Sequence, residues 1–243
     1  MGSSRLPGKV LLPLAGSAIL EWVVRRASAA ASLDRVAVAT STAGRDDAIV
    51  RFCLERSWPV FRGDEQDVLD RYYTGALDAG AKIVVRITAD CPFIDPVVID
   101  RVVAALTVPT PVDYASNTLE PRTFPRGMDV EAFTMAALER AWRTDANPES
   151  REHVTPHMYR NPKLYSVRQV SLLRNLSDMR WTLDTHEDYG FLVAAAALVD
   201  DMLTPWTRIL RAVEEHPELL EMNRHVRQKT VEREERSTGP DGE

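Results

Sequence analysis

A short loop of small and basic residues, Gly2-Ser3-Ser4-Arg5-Leu6-Pro7-Gly8-Lys9, lies at the start of the chain. Its small residues Gly2, Ser3 and Ser4 let the backbone approach an anion and expose N–H donors, while Arg5 and Lys9 add positive charge. The chemistry that this pattern favours is phosphate binding. Basic turns with glycine are common, however, and artificial leader sequences also begin Met-Gly-Ser-Ser, so composition alone leaves the role of the loop open.

Two aspartates follow predicted strands. Asp90 comes after a predicted strand at 82–88, and Asp184 comes after a later one at 179–183. Ligands of open α/β sheets bind outside the carboxyl ends of the strands, so both carboxylates could face a ligand. The competing interpretations are a turn aspartate bonded to its own backbone at Asp90 and a helix cap at Asp184.

Alternating helices and strands must position these groups. In the first half we predict a helix capped by Ser17 that runs to about 31, a strand at 35–40, a helix at 46–56, a strand at 59–61, a helix opened by Asp64 or Glu65 that runs to 79, the strand at 82–88 and a helix at 96–106. This alternation is typical of parallel βαβ units with helices on both faces of the sheet.

The pattern changes where prolines 109, 111, 121 and 125 interrupt the chain. We interpret 109–160 as an excursion of loops and short elements from the sheet. It contains a strand at 129–133, a helix at 135–143 and a helical stretch at 153–159; strands at 165–170 and 179–183 and helices at 187–199 and 205–215 follow. One domain is expected over 1–222, with a charged, disordered tail at 223–243.

Composition narrows the class of protein. The net charge of −6 argues against broad nucleic-acid binding, because a phosphate backbone favours a basic face. Cys53 and Cys91 have no metal-like spacing and the five histidines form no zinc pattern, so we expect reduced thiols and a cytoplasmic location. No apolar run reaches the ~20 residues of a membrane span, and no signal peptide is expected.

An ordered set of motifs resembles the cytidylyltransferases that activate acidic sugars. These are the acylneuraminate and 3-deoxy-manno-octulosonate cytidylyltransferases, and the branch of spore-coat polysaccharide biosynthesis is the most similar. Each motif is weak alone, but their order covers most of the chain. The matching segments are the run 2–16 and then Val38-Ala39-Thr40-Ser41, 62–71, Arg86-Ile87-Thr88-Ala89-Asp90-Cys91-Pro92, 125–131, Arg151-Glu152-His153-Val154-Thr155 and 183–188.

The resemblance implies a Rossmann-like nucleotide-diphospho-sugar transferase fold with a mostly parallel, mixed sheet. It also implies transfer of CMP from CTP to an acidic sugar or sugar phosphate, with release of pyrophosphate, for polysaccharide or glycan synthesis by a cytoplasmic homodimer. The excursion 109–160 would then form the acceptor side and the dimer contact. Asp90 and Asp184 would be the ligands of a Mg²⁺ cofactor, and Asp188 is the reserve candidate. Lys9 would act with these two aspartates in catalysis.

The remaining site residues divide between the two substrates. The nucleotide would contact the loop residues Gly2, Ser3, Ser4, Arg5 and Lys9, together with Ser41 and Arg71. The alternative for Arg71 is a surface ion pair with Asp67, four residues before it on the same helix. The acceptor would contact the set Arg126, Asp129, Glu131 and His153. For Arg126 the alternative is a solvent-exposed loop charge, and for His153 a partly buried structural side chain.

One feature departs from the family. An apolar strand that ends in arginine normally precedes the loop, and we expect it either upstream of Met1 in a longer product or lost by truncation. Three functions therefore stay open: the CTP-dependent enzyme, a nucleotidyltransferase of the same fold with another nucleotide or a phosphorylated acceptor, and a non-catalytic nucleotide-sugar binding protein. A dehydrogenase is disfavoured because no GxGxxG motif follows a strand, and a glycosyltransferase because Asp90-Cys91-Pro92 is not an Asp-x-Asp motif.

Overall fold

The computed structural model describes residues 5–227, in which short sheets pack among helices. The strands are β1 (Pro13–Leu14), β2 (Ser17–Ala18), β3 (Val38–Ser41), β4 (Val60–Gly63), β5 (Ile83–Arg86), β6 (Tyr114–Ser116), β7 (Glu131–Thr134) and β8 (Val167–Gln169). The helices are α1 (Ile19–Ser28), α2 (Asp47–Glu55), α3 (Val68–Asp78), α4 (Pro96–Thr107), α5 (Met135–Thr144), α6 (Pro148–His153), α7 (Pro156–Arg160), α8 (His186–Ala196), α9 (Trp206–Glu215) and α10 (Glu218–Glu221).

Parallel and antiparallel pairing are both present. β3 and β4 pair in parallel, and β1 and β2 form a small antiparallel hairpin. The third sheet has the order β5-β7-β6-β8, with β7 antiparallel to both of its neighbours and β6 parallel to β8. The predicted mixed α/β class is confirmed. None of the helices within residues 5–227 combines the length and apolar character needed to cross a bilayer.

Three aromatic rings in the main core link the segments that carry the two aspartates. Trp22 of α1 lies edge-on to Phe93, with ring centroids 5.8 Å apart, and Phe93 lies edge-on to Trp181 at 6.0 Å. Phe93 and Trp181 are both fully buried. Such edge-to-face contacts between buried rings add to the stabilisation from area burial. Asp90 and Asp184 therefore extend from neighbouring, well-packed pieces of backbone.

Two predicted helix starts are wrong. Ser17 does not cap α1, because its backbone pairs with Leu14 in the β1–β2 hairpin and leaves Ala18 as the residue before the helix. Helix α3 starts at Val68 rather than at Asp64 or Glu65. The carboxylate of Asp67 caps it by accepting a hydrogen bond from the Asp70 N–H, whereas Asp64 closes the preceding turn.

The predicted strand at 179–183 is also wrong. This segment makes an isolated bridge between Arg126 and Arg180, in which the Trp181 N–H donates to the Arg126 carbonyl at 2.6 Å. Its next contact is with a different segment, because the Leu183 N–H donates to the Asp90 carbonyl at 2.9 Å. The backbone changes partner within two residues, so no ladder develops.

We expect Gly127→Ala to destabilise the protein by more than about 3 kcal/mol, because Gly127 has φ +97° and a Cβ there would lie 2.5 Å from the Trp181 carbonyl carbon. Urea unfolding would measure the change. Gly80→Ala is the matched control: Gly80 has φ +64° but nothing within 4 Å of a Cβ, so only the smaller backbone strain of about 1–2 kcal/mol is expected. Equal losses in the two variants would contradict the role of close packing at Gly127.

The carboxylate of Asp100 in α4 accepts hydrogen bonds from the Ser32 hydroxyl at 2.6 Å and the Ser32 N–H at 2.8 Å. Burial would raise the pKa of Asp100, but the bonds from Ser32 and the Ala31 N–H outweigh it and lower the pKa. The carboxylate therefore stabilises the fold above its unfolded pKa of about 3.9, and this stabilisation is lost as pH falls through the lower folded pKa.

Asp100→Asn should thus lower the free energy of unfolding at pH 7 by about 0.5–1.5 kcal/mol, and the difference from the wild type should shrink as the pH falls below about 3.9. Urea titrations at several pH values would measure it. Exposed Asp78, replaced by asparagine, serves as the control. A difference that grows as the pH falls would contradict the assignment.

Candidate active site

Lys9, Asp90 and Asp184 meet at one point. The Lys9 Nζ lies 2.6 Å from Asp90 Oδ2 and 2.8 Å from Asp184 Oδ1, and it also donates to the Leu183 carbonyl at 2.6 Å. Lys9 begins a short 3₁₀ turn directly after Gly8, whose φ of 71° turns the loop in the left-handed region. The structure thus brings together the three residues predicted for catalysis.

Charge pairing dominates the electrostatics of this cluster. Burial by itself would lower the pKa of Lys9, but the neighbouring carboxylates of Asp90 and Asp184 outweigh it and raise the pKa. Burial would likewise raise the pKa of Asp184, yet the hydrogen bond and charge of Lys9, with further contributions from Arg180 and Arg5, lower it. Lys9 is therefore protonated and Asp184 ionised at neutral pH.

Arg180 holds Asp184 from the opposite side. Its Nη2 lies 2.8 Å from Asp184 Oδ2, while its Nε lies 2.8 Å from Oδ1 of the fully buried Asp188. Asn223 donates to the Asp188 carboxylate at 3.0 Å and to the Arg180 carbonyl at 2.9 Å. Sequence reasoning missed Arg180, although the spacing Arg-x₃-Asp-x₃-Asp from 180 to 188 could have indicated it.

Two earlier predictions change because of these contacts. Asp188 is not a reserve metal ligand, because its carboxylate is taken up by Arg180, Asn223 and the N–H groups of Asp184 and Thr185 at the start of α8. Asn223 is only 2% exposed, so the packed structure extends at least one residue past the predicted boundary at 222. The rest of the predicted division, including most of the tail, lies outside the described residues or stays a prediction.

The start of the phosphate loop is described only from Arg5. Its guanidinium lies 3.0 Å from Asp184 Oδ2 and its side chain is 29% exposed, so it borders the cluster and faces solvent. Gly2, Ser3 and Ser4 lie outside the described residues, and their predicted contacts with a nucleotide stay predictions.

Ser41 is turned away from the expected crevice edge. Its side chain is 3% exposed, and its hydroxyl donates to Asp46 Oδ2 at 2.6 Å. Thr40 donates to the same oxygen at 3.0 Å. Asp46 lies in a short 3₁₀ turn that folds back over the end of β3. The Ser41 hydroxyl therefore stabilises this turn. This corrects the prediction that Ser41 contacts the base or the ribose.

Arg71 is half-buried and does not form the ion pair with Asp67 that was the alternative to its predicted nucleotide contact. Asp67 instead binds Arg151, whose Nη2 lies 2.7 Å from Asp67 Oδ2. The Arg71 side chain packs on Gly63, and its Nε has no hydrogen-bond partner among the described residues. Burial lowers the pKa of Arg71 from its usual value. A buried donor without a partner is costly, so Arg71 is suited to an incoming acceptor oxygen.

A cavity of about 380 Å³ contains most of the residues predicted for the acceptor. Asp129, Glu131 and His153 line it, together with Arg86 and Thr155. Glu131 is 6% exposed, and its carboxylate accepts hydrogen bonds from Arg86, Thr155 and the Tyr114 hydroxyl. Its oxygens are thus occupied, which makes Glu131 a structural support of the wall. This corrects the prediction of a direct contact with the acceptor.

Arg126 differs from its acidic neighbours because it makes no direct ion pair among the described residues, although the charges of Asp129 and Glu120 act on it favourably. Asp129 is bound by the buried guanidinium of Arg122, a residue that the sequence did not single out. Burial and the charge of Arg122 lower the pKa of Arg126, with Arg180 also nearby, and within residues 5–227 its half-buried guanidinium has no ion pair. Arg126 does not line the cavity itself. It lies between Asp129, on the cavity wall, and Arg180, which holds Asp184.

Comparison with known proteins shows the family to which the chain belongs. A family model described as Cytidylyltransferase matches residues 1–234. An uncharacterized protein of Methanocaldococcus jannaschii is 35% identical over 94% of this chain and 93% of its own length. The spore coat polysaccharide biosynthesis protein SpsF of Bacillus subtilis is 33% identical over 80% of this chain and 82% of its own length.

Solved structures show the same fold. A cytidylyltransferase of Leptospira borgpetersenii superposes with a TM-score of 0.86 at 29% identity, over 96% of this chain and 95% of the other. A CMP-2-keto-3-deoxy-manno-octonic acid synthetase superposes with a TM-score of 0.59 at 19% identity, over 81% of this chain and 94% of the other, which supports the Rossmann-like fold alone. The predicted resemblance is confirmed. This chain belongs to the cytidylyltransferase family and is a nucleotidyltransferase.

Proposed function

We propose that this enzyme transfers CMP from CTP to an acidic sugar and releases pyrophosphate. The observation that carries the proposal is the cluster of Lys9, Asp90 and Asp184, bordered by Arg5, at the end of the segment that follows β5. A relative of 29% identity from Chlamydia trachomatis, named 3-deoxy-manno-octulosonate cytidylyltransferase, supports this choice of substrates. The similarity to SpsF supports a role in polysaccharide synthesis.

In this reaction an oxygen of the acceptor attacks the α-phosphorus of CTP in line with the leaving group. The new bond is between that oxygen and phosphorus, the bond to the β-phosphate oxygen breaks, and the acceptor hydroxyl loses its proton. Such a displacement needs no protein nucleophile, because positioning and charge neutralisation lower the barrier. Lys9 and Arg5 supply cations beside the phosphates, and Arg71 is a further donor for the nucleotide.

Mg²⁺ is proposed as the cofactor, with Asp90 and Asp184 as its protein ligands. Both carboxylates bind the same Lys9 ammonium, so they are close enough to share a cation. Within residues 5–227 no three acidic, histidine or cysteine side chains gather into a metal site. Mg²⁺ in proteins is commonly bound by one or two carboxylates together with phosphate oxygens. Asp90 and Asp184 would supply the carboxylates and CTP the phosphate oxygens. When bound, the ion would neutralise charge on the phosphates.

The acceptor is proposed to bind in the cavity lined by Asp129, Glu131 and His153. Of the residues predicted for it, Arg126 is best suited to an acidic group that extends beyond the cavity lining, because the carboxylates of Asp129 and Glu131 already bind Arg122 and Arg86. A guanidinium binds carboxylate and phosphate equally well in geometry, so a phosphorylated acceptor is the second candidate. His153, which also lines the cavity, would contact the acceptor. We further propose that the enzyme is a homodimer.

Lys9→Ala is expected to reduce kcat roughly 100-fold or more, because one cation that stabilises the transferring phosphate is lost. Pyrophosphate release with CTP, Mg²⁺ and a panel of acidic sugars would measure it, with the other three NTPs compared in parallel. The exposed Lys163, replaced by alanine, is the matched control and should leave kcat unchanged. Loss of fold stability in step with kcat would contradict a catalytic role for Lys9.

Arg126→Ala should raise the KM for the acidic acceptor roughly 10- to 100-fold while the KM for CTP changes little, because the variant removes a charge-assisted contact with the acceptor. Initial rates at varied acceptor and fixed saturating CTP would measure it. Arg126→Lys should recover part of the loss, since the charge is kept and the planar fork is not. Exposed Arg51→Ala is the control. An unchanged acceptor KM would exclude Arg126 from acceptor binding.

A further inference from the structure

Val154, between helices α6 and α7, has an unusual backbone conformation. Its φ is 71° and its ψ is −53°, and it directly follows His153, the last residue of α6. Across it, the Thr155 N–H donates to the His153 carbonyl at 2.9 Å. A hydrogen bond between residues two apart, with these angles at the central residue, is a γ-turn of positive φ, which is the rare and strained form of this turn.

Valine is poorly suited to this conformation. A positive φ brings the Cβ atom of an L-residue close to the neighbouring backbone, and a β-branched side chain adds to the crowding. Ala15 and Ser57, the other non-glycine residues of positive φ within residues 5–227, are exposed, whereas Val154 is fully buried. Such strain costs free energy and persists only where the surrounding structure enforces it.

The core holds the side chain of Val154. It belongs to a cluster of buried apolar side chains from β6, β7, α5 and α7, which includes Tyr114, Phe133, Leu138 and Met158. With the two flanking helices in place, a change to negative φ would redirect the Cβ bond of Val154 and withdraw its side chain from this cluster. The apolar area buried there therefore opposes relief of the strain.

The segments on either side of the turn are anchored separately. Arg151 fixes α6, because its Nη2 lies 2.7 Å from Asp67 Oδ2 and its Nη1 donates to the Trp142 carbonyl at 3.0 Å. On the other side, the Thr155 hydroxyl donates to Glu131 Oε1 at 2.5 Å. The turn is therefore held from both ends as well as through its central side chain.

The turn decides which side chains face the acceptor cavity. His153 and Thr155 both line the cavity of about 380 Å³, whereas Val154 between them lies in the core. If α6 continued as a helix, successive side chains would be about 100° apart, and His153 and Thr155 would point to nearly opposite sides. The γ-turn instead presents both residues to one cavity, where Thr155 also supports the carboxylate of Glu131.

The residue type at the turn also favours a positioning role. Glycine would form the same connection between α6 and α7 without strain, but it would place no side chain in the core. Val154 accepts the strain, and its burial restricts the turn to one conformation. Strain of this kind clusters at sites where the orientation of neighbouring groups matters.

We propose that Val154 is a positioning residue of the acceptor site, whose buried side chain holds the strained turn and so places His153 at the cavity. The proposal rests on the proposed binding of the acceptor in this cavity. Val154 does not line the cavity itself, so its effect is transmitted through the turn. A side chain whose backbone is fixed in advance loses less freedom on binding, which favours its contact with a sugar hydroxyl.

Val154→Ala and Val154→Gly test the proposal in the full chain. Alanine keeps a Cβ at positive φ but loses the apolar anchor, so the turn should open and the KM for the acidic acceptor should rise roughly five- to tenfold, with kcat and the KM for CTP unchanged. Glycine tolerates the positive φ, so Val154→Gly should recover part of this loss. Initial rates at varied acceptor and fixed saturating CTP would measure both variants.

NMR reports the turn without any substrate. In Val154→Ala we expect the His153 Hε1 signal, assigned through His153→Gln, to shift and the Thr155 amide to exchange faster, because its bond to the His153 carbonyl is lost. Val154→Gly should change both less. In the wild type, a strong nuclear Overhauser effect between the amide and α protons of Val154 is expected at positive φ. A weak one would overturn the proposal even if neither variant folds.

Val102→Ala and Val102→Gly are the matched controls for lost packing, because Val102 is fully buried in the middle of α4. Within a helix glycine is less favourable than alanine, so the urea midpoint should fall further for Val102→Gly. At Val154 this order should be reversed, because there only alanine is strained. Neither Val102 variant should change the KM for the acceptor.

A folded Val154→Ala variant with unchanged acceptor KM, His153 signal and Thr155 exchange would overturn the proposal and leave Val154 as a core residue only. A wild-type enzyme that turns over no acidic sugar would contradict the proposed function instead. The His153 and Thr155 signals would then still decide whether Val154 holds the turn, because they are measured without nucleotide or acceptor.

Discussion

The contact of Lys9 with Asp90 and Asp184 is the interaction on which the site depends. Its members are 81 and 175 residues apart in sequence, and the side chains of all three are largely buried. Two carboxylates about 4 Å apart near a protein surface repel each other by about 4 kcal/mol. The ammonium offsets this repulsion, and Arg180 and Arg5 share the charge of Asp184. The same ion pairs therefore position these three side chains and stabilise the fold locally.

The surrounding backbone is organised around that cluster. Phe93, three residues after Asp90, and Trp181, three residues before Asp184, pack edge-to-face in the core. The Leu183 N–H and the Asp90 carbonyl join the two segments directly. Gly127 packs so closely on the Trp181 backbone that no side chain fits there. The segment around Arg126 and Gly127 and the segment that carries Asp184 are thus held in one register.

Outside the cluster of Lys9, Asp90 and Asp184, hydrogen-bond saturation separates supporting residues from residues that can bind a ligand. Glu131 and Asp129 are charged and line the cavity of about 380 Å³, but Arg86, Tyr114 and Arg122 occupy their carboxylates. Arg126 and Arg71 keep cationic groups whose partners are incomplete within residues 5–227. Residue type alone cannot make this distinction, because both groups have the composition expected of a binding site. The distinction depends on which neighbours reach each side chain.

The sequence by itself determined the α/β class, most helices and the identity of the central cluster. Helix periodicity and strand alternation are local properties, and Lys9, Asp90 and Asp184 lie at loop positions that local pattern and family resemblance mark together. The tertiary structure alone decided that 179–183 is irregular, that Ser41 faces Asp46, that Asp67 binds Arg151 and that Arg180 supports Asp184. Each of these depends on a partner brought close by folding, and side-chain pairing across the core has no local signature in the chain.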